Sequence, residues 1–195
     1  METPWQTDAV PYNFGPASDH DTILYTCHRP GNGSYDATNT DCTRIDTATA
    51  QTQIAWMHQQ GVRHALILLD ANELAEYDTS DTVGGLPQLY TDGGIVPHIQ
   101  SMSAPGAAQH VLDIIRGVEE ATTTTNDNAK VAAHCTGGKG RAGRVAAAWV
   151  AARYGVSPET ATDEVIRVAE ERGLSRVGAA AKCAEWMGDA RLNNE

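Results

Sequence analysis

Residues 131–144, VAAHCTGGKGRAGR, constrain the fold more than any other part of this chain. The apolar run 131–135 predicts a strand buried on both faces, as in a parallel sheet. A glycine-rich turn follows without pause, and an alanine-rich stretch from about 142 to 154, stopped by Gly155, predicts a helix. A strand that feeds a helix through glycines sets the helix N-terminus at the carboxyl end of the strand. Backbone N–H groups converge there, and such junctions gather anions.

The remaining pattern agrees with a sheet flanked by helices. Short apolar runs at 23–27, 65–69 and 95–99 predict strands, the second ending on Asp70. Helical spacing covers 47–60, with Gly61 as the stop. A further helix opens at Pro105-Gly106 and carries the stripe Val111, Leu112, Ile114, Ile115 and Val118. Residues 122–128, mostly Thr and Asn, predict a polar connection. Ser157-Pro158 caps a helix to about 172, and a last helix spans 179–187. Strands alternating with helices and then a helical tail indicate an α/β fold, a central mostly parallel sheet flanked by helices. Residues 1–22, rich in turn formers, predict an extended lead-in from which Tyr12 and Phe14 dock on the body; 23–195 is expected to be a single domain. The polar stretches 29–46 and 71–94 read as surface loops bordering a site.

A net charge of −11 and a pI near 4.9 exclude nucleic acid and anionic membrane surfaces as partners, since a field of that sign repels phosphate at long range. Any phosphate site must therefore be local. Residues 1–10 hold neither a basic region nor an apolar stretch, so no membrane insertion and a cytoplasmic location are expected. The four cysteines, Cys27, Cys42, Cys135 and Cys183, are unevenly spaced and are expected as thiols, with no metal-ligand spacing among them.

Read as chemistry, the loop suits a phosphate dianion. Glycines at 137, 138 and 140 let consecutive N–H groups turn into one concavity, and the helix start adds partial positive charge. A thiol at its base ionises readily, because helix N-termini and cations lower cysteine from about 8.5 to roughly 3.5–7.5. Arg141, six positions on, offers a planar fork to two phosphoryl oxygens where Lys139 offers a point charge. Cys135 is thus the candidate nucleophile, and Thr136, Gly137, Gly138, Lys139, Gly140 and Arg141 the candidate phosphate cradle.

These residues carry a resemblance: HCTGGKGRAGR resembles the Cys-x5-Arg signature of the protein tyrosine and dual-specificity phosphatase superfamily. Within it, Gly138-Lys139-Gly140-Arg141 looks like the loop of compact dual-specificity and phosphoinositide phosphatases. The likeness extends more weakly from Ile23 through Met187. It implies hydrolysis of a phosphomonoester through a phosphocysteine, with no metal or other cofactor, and with His134 orienting the loop by hydrogen bonds. The partner it implies is a phosphorylated protein or a small phosphomonoester.

Two positions depart from the family pattern. Ala142 stands where the family usually has a Ser or Thr whose hydroxyl supports the thiolate, which implies slow turnover. The family's general acid, an upstream aspartate, should fall within 98–105, HIQSMSAP, where there is no carboxylate. Asp70 is the preferred substitute, because ligand sites in open α/β sheets lie beyond the carboxyl ends of strands; a helix or turn cap is its alternative role. His98 is the second candidate by its ordinary pKa, the alternative being a satisfied, partly buried ring. Asp92 reads as a turn residue, and His28 and Arg29 either touch substrate or form a surface turn.

Other readings share the segment. Gly138-x-Gly140-x-x-Gly143 matches the dinucleotide fingerprint, but helices follow where a second parallel strand should come, and Glu164 lies inside a helix. A phosphate-binding module without turnover is consistent with Ala142 and the missing acid, as is a phosphoinositide or small-molecule phosphatase. Sulfur transfer lacks a second cysteine nearby.

Overall fold

Five strands form one sheet in the order β1-β2-β5-β3-β4, where β1 is Gly15–Pro16, β2 Leu24–His28, β3 Val62–Ile67, β4 Val96–Ile99 and β5 Lys130–Cys135. The computed structural model describes residues 10–31, 45–77, 83–125, 128–188 and 190. Only the two-residue edge β1 is antiparallel; β2, β5, β3 and β4 run parallel, so their carboxyl ends share one edge. The register sets His28 beside Cys135 and Ile67 beside His134. The loops leaving β2, β3 and β5 therefore meet around Cys135.

Both faces of the sheet are covered along β3 and β5, as their apolar runs require, while the edge β4 leaves Val96 and Ile99 exposed. On one face Ala65, Ile67 and Ala132 pack against α1 (Thr47–Gln59), through Ile54 and Met57, and against α3 (Gly85–Asp92), through Leu86, Leu89 and Tyr90. On the other, Leu66, Val131, Ala133 and Cys135 meet α4 (Ala107–Thr125), through Val111, Leu112 and Ile115, and α5 (Gly140–Tyr154). Residues 145–151 of α5 are all buried, because α6 (Pro158–Glu171) and α7 (Ala180–Met187) cover the side that the sheet does not. Alanines suit a helix enclosed on that many sides, since they let neighbours approach closely and lose no rotamer freedom.

The expected elements are present with three differences. First, the stretch 71–94 contains α3 and the single turn α2 (Ala71–Ala75) where a loop is expected. Second, α4 runs through Thr125, into the expected polar connection. Thr123, Thr124 and Thr125 each donate a hydroxyl to the carbonyl four residues back, at 2.9 Å, in the back-bonded rotamer open to threonine in a helix. Third, β3 begins at Val62 and its regular pairing ends at Ile67 rather than at Leu69.

At the amino end, Phe14 stacks on Tyr25 with ring centroids 5.0 Å apart, and Tyr12 meets Trp56 edge-on at 5.1 Å. Cys27, Cys135 and Cys183 are free and buried; Cys42, with most of the stretch 29–46 expected as a loop, lies outside the described residues. Among the described residues, no helix is long and apolar enough to cross a membrane.

Candidate active site

β5 ends on Cys135, which is buried at 4% exposure, and α5 starts at Gly140, leaving four residues to turn the chain. Gly138 makes that turn possible. Its φ of +66° lies in the left-handed region, and a Cβ there would fall on the backbone of Cys27 and His28. Gly137 and Gly140 have neither constraint, so of the three glycines only Gly138 is demanded by the backbone.

Three of the four loop carbonyls are held by hydrogen bonds from outside the loop. Thr136 O accepts from the Arg29 N–H at 3.4 Å, Gly137 O from Asn13 Nδ2 at 3.3 Å, and Lys139 O from the amides of Gly143 at 3.2 Å and Val177 at 3.3 Å. In a trans peptide the C=O and the following N–H point in opposite directions. The N–H groups of Gly137, Gly138 and Gly140 therefore turn into the concavity above Cys135, the arrangement that binds an anion.

Arg141 closes the ring from the first turn of α5. Its Nη1 donates to Leu68 O at 2.8 Å and to Glu73 Oε2 at 2.6 Å, and its Nη2 to Glu73 Oε1 at 2.6 Å and Thr136 Oγ1 at 3.0 Å. The Thr136 hydroxyl in turn donates to Glu73. Glu73 also accepts from the Asp70 amide at 2.8 Å, in a capping box that opens α2. The Arg141 fork, with help from Thr136 and the Asp70 amide, pulls the Glu73 carboxyl down to about 2 against the opposing effect of burial. Glu73 is thus a fixed anion at the mouth of the loop.

Asp70 is the N-cap of α2, with its carboxylate largely exposed and 3.7 Å from Arg141 Nη1. The cap role and a position beside the site are both realised. His98 is engaged elsewhere: its Nε2 shares a hydrogen bond with His64 Nδ1 at 3.1 Å, and burial, then His64 and His110, lower its pKa. His134 is fully buried, stacked on Tyr90 at 5.7 Å. Neither of its ring nitrogens has a hydrogen-bond partner among the described residues, so its side chain acts on the loop by packing there. Burial first, and then the neighbouring His28, Arg29 and Arg141, push its pKa down to about 3.

Arg29, read from sequence as a possible substrate contact, is buried and paired with Glu76 at 2.6 Å, so it ties the β2 loop to the end of α2. Asp92 ends α3 and accepts from Gln88 at 2.7 Å. Three contributors were not foreseen: Glu73, Asn13 and Arg176. Asp70-x-x-Glu73 is a capping-box spacing that could have marked Glu73. Asn13 reaches Gly137 O from 124 positions away, and Arg176 is bonded to Thr26 and to Asn13, far from it in sequence; no local pattern announces such contacts.

The family described as a polymorphic toxin system DSP-PTPase phosphatase matches residues 42–155. No curated protein matches significantly. Among solved structures, Tk-PTP in its active form superposes with a TM-score of 0.57 at 18% identity, covering 92% of this chain and 99% of that one. Kinase-associated phosphatase, with its catalytic cysteine replaced by serine, gives 0.54 at 22% identity over 86% of each chain. PTPMT1 in complex with PI(5)P gives 0.53 at 14% identity, covering 91% of this chain and 96% of that one. These likenesses establish the same α/β fold. With the family match over more than half its length, the chain belongs to the DSP-PTPase phosphatase family and is a cysteine-based phosphatase of the dual-specificity and tyrosine phosphatase type.

Proposed function

We propose that this chain hydrolyses phosphomonoesters with Cys135 as nucleophile. The observation that supports the proposal is the polarity of the loop: the carbonyls of Thr136, Gly137 and Lys139 are tied by hydrogen bonds, which turns the N–H groups that follow them the other way, with Arg141 beside them in the first turn of α5. The Cys135 thiolate attacks phosphorus, the bond from phosphorus to the leaving oxygen breaks, and that oxygen takes a proton from Asp70. Water then attacks the phosphocysteine, gives its proton back to Asp70, and inorganic phosphate leaves as the thiolate re-forms. Arg141 and the loop amides stabilise charge on the equatorial oxygens in both steps. The substrate is a phosphorylated protein side chain or a small phosphomonoester, and the family description supports a role as the phosphatase unit of a polymorphic toxin system.

A second reading, phosphate binding without turnover, is favoured by Ala142, which brings no hydroxyl, and by Glu73, which already occupies the Arg141 fork. Hydrolysis of an aryl phosphate separates the two. The expected result is vanadate-sensitive turnover that falls on the order of a thousandfold or more in Cys135→Ser. Undiminished turnover in that variant would rule out the mechanism, and stabilisation by tungstate with no hydrolysis would favour the second reading.

A further inference from the structure

Arg176 lies between α6 and α7, and its side chain is buried beneath the phosphate loop. Its Nε donates to Thr26 Oγ1 at 2.7 Å, its Nη2 to Asn13 O at 2.8 Å and Thr26 O at 3.0 Å, and its Nη1 to Ser175 O at 2.8 Å. Every one of these acceptors is neutral, and no carboxylate pairs with Arg176 among the described residues. A buried cation in that position calls for an anion nearby, because taking a charge out of water is costly unless it is compensated.

The strand register identifies the compensating group. Thr26 is the Cα partner of Ala133, two residues before Cys135 on the adjacent strand. Alternation along β2 and β5 turns Thr26 toward the same sheet face as Leu24, Ala133 and Cys135, the face that α5 covers. Strand spacing sets Thr26 and Cys135 about 8 Å apart. Gly143 of α5 closes the other side, its missing Cβ 3.9 Å from the Arg176 Cβ and Cδ. The same segment fixes the loop, since Val177 donates to Lys139 O and Asn13, which holds Gly137 O, is itself bonded to Ser175 and Arg176.

We propose that Arg176 is the buried counter-cation of the Cys135 anion, stabilising the thiolate and then the phosphocysteine from beneath the loop. The proposal rests on the reading of Cys135 as nucleophile. Burial lowers the Arg176 pKa to about 10, with Cys27 and Cys135 opposing the shift, so the guanidinium keeps its charge at neutral pH. Cys27 cannot be the anion it serves, because burial pushes that thiol up to about 12. The outer side of the loop is different: there Arg141 is bound to Glu73, with Asp70 beside it, and Lys139 belongs to the loop itself. From β2, Arg29 is paired with Glu76 and the His28 ring bonds the Arg29 carbonyl at 2.9 Å. His134, lowered to about 3, is neutral.

The test is the pH dependence of Cys135 alkylation by iodoacetamide, read on the Cys135 peptide by mass spectrometry in the full chain. In Arg176→Gln and Arg176→Met, the pH of half-maximal alkylation is expected to rise by about one unit, the size expected for removing a unit charge within about 10 Å at an effective dielectric of about 20. Arg176→Lys, which keeps the charge and loses the fork, is expected to restore most of it. An unchanged midpoint in a folded neutral variant, or a lysine variant that behaves like the glutamine one, overturns the proposal. The wild-type chain gives a second reading that needs no variant. A buried counter-cation is poorly screened, so the midpoint should hold between low salt and about 1 M; a rise of a unit there would assign the effect to exposed cations and overturn it. A wild-type midpoint near that of an ordinary thiol, about 8.5, would instead sink the nucleophile reading, and this proposal with it.

Discussion

Asp70 and Glu73, three residues apart, divide the work at the mouth of the loop. Glu73 is held by Arg141, Thr136 and the Asp70 amide, and with its carboxyl near 2 it stays ionised and has no proton to give. Asp70 is exposed and close to Arg141 without being locked to it, which suits a group that must meet a leaving oxygen. Asparagine is also a good N-cap, so Asp70→Asn removes the proton while preserving the start of α2. The expected outcome is a loss on the order of a hundredfold on alkyl phosphates and only a few-fold on aryl phosphates, whose leaving groups need little acid. Equal losses on both, measured as kcat/KM, would contradict the assignment. Cys135 and Arg141 were legible in the sequence because their spacing is local. Glu73 was not singled out, since the stretch that holds it reads as loop.

At the scale of elements, the unit that matters is β5, the loop and α5. It was legible because a buried strand, a glycine turn and a capped helix each leave a mark within a few residues. α2 left little trace, being a single turn with no buried residue, and α3 opens on Gly84-Gly85 and carries Pro87, which disguises the buried Leu86, Leu89 and Tyr90. Two-residue β1 exists only through its pairing with β2. The loop glycines make a paired test of the backbone argument. Gly138→Ala forces a left-handed φ on alanine and a clash with Cys27, and is expected to cost about 1–3 kcal/mol in thermal or urea unfolding and to weaken tungstate binding. Gly140→Ala meets nothing within 4 Å and has no such φ, so its stability should be unchanged or raised by up to about 1 kcal/mol. Similar losses in both variants would mean that the loop is held differently.

Across the whole molecule, a net charge of −11 coexists with two arginines brought to the loop from distant parts, Arg141 on α5 and Arg176 after α6, with Asn13 near the amino end as an anchor. That assembly depends on tertiary contacts, which is why the sequence placed the loop but not its supports. The buried ring of His134 couples the core of this assembly to pH. Its folded pKa, near 3, lies below the ordinary value of 6.5, so the unfolded chain binds the proton first. The stability is therefore complete above about pH 6.5 and falls by up to about 1.4 kcal/mol per unit as the pH drops toward 3. Glu73, depressed to about 2, adds a loss of the same sign only below its ordinary range. Melting temperatures followed from pH 7 to 5 should fall less steeply in His134→Gln than in the wild type; parallel curves would show that the ring is not buried neutral. The central claim is that phosphorus passes through Cys135, and acid quenching during turnover of an aryl phosphate, followed by peptide mass spectrometry, tests it most directly. The account predicts one phosphoryl group on the Cys135 peptide, and turnover with no adduct at Cys135, or with the adduct on another residue, would contradict it.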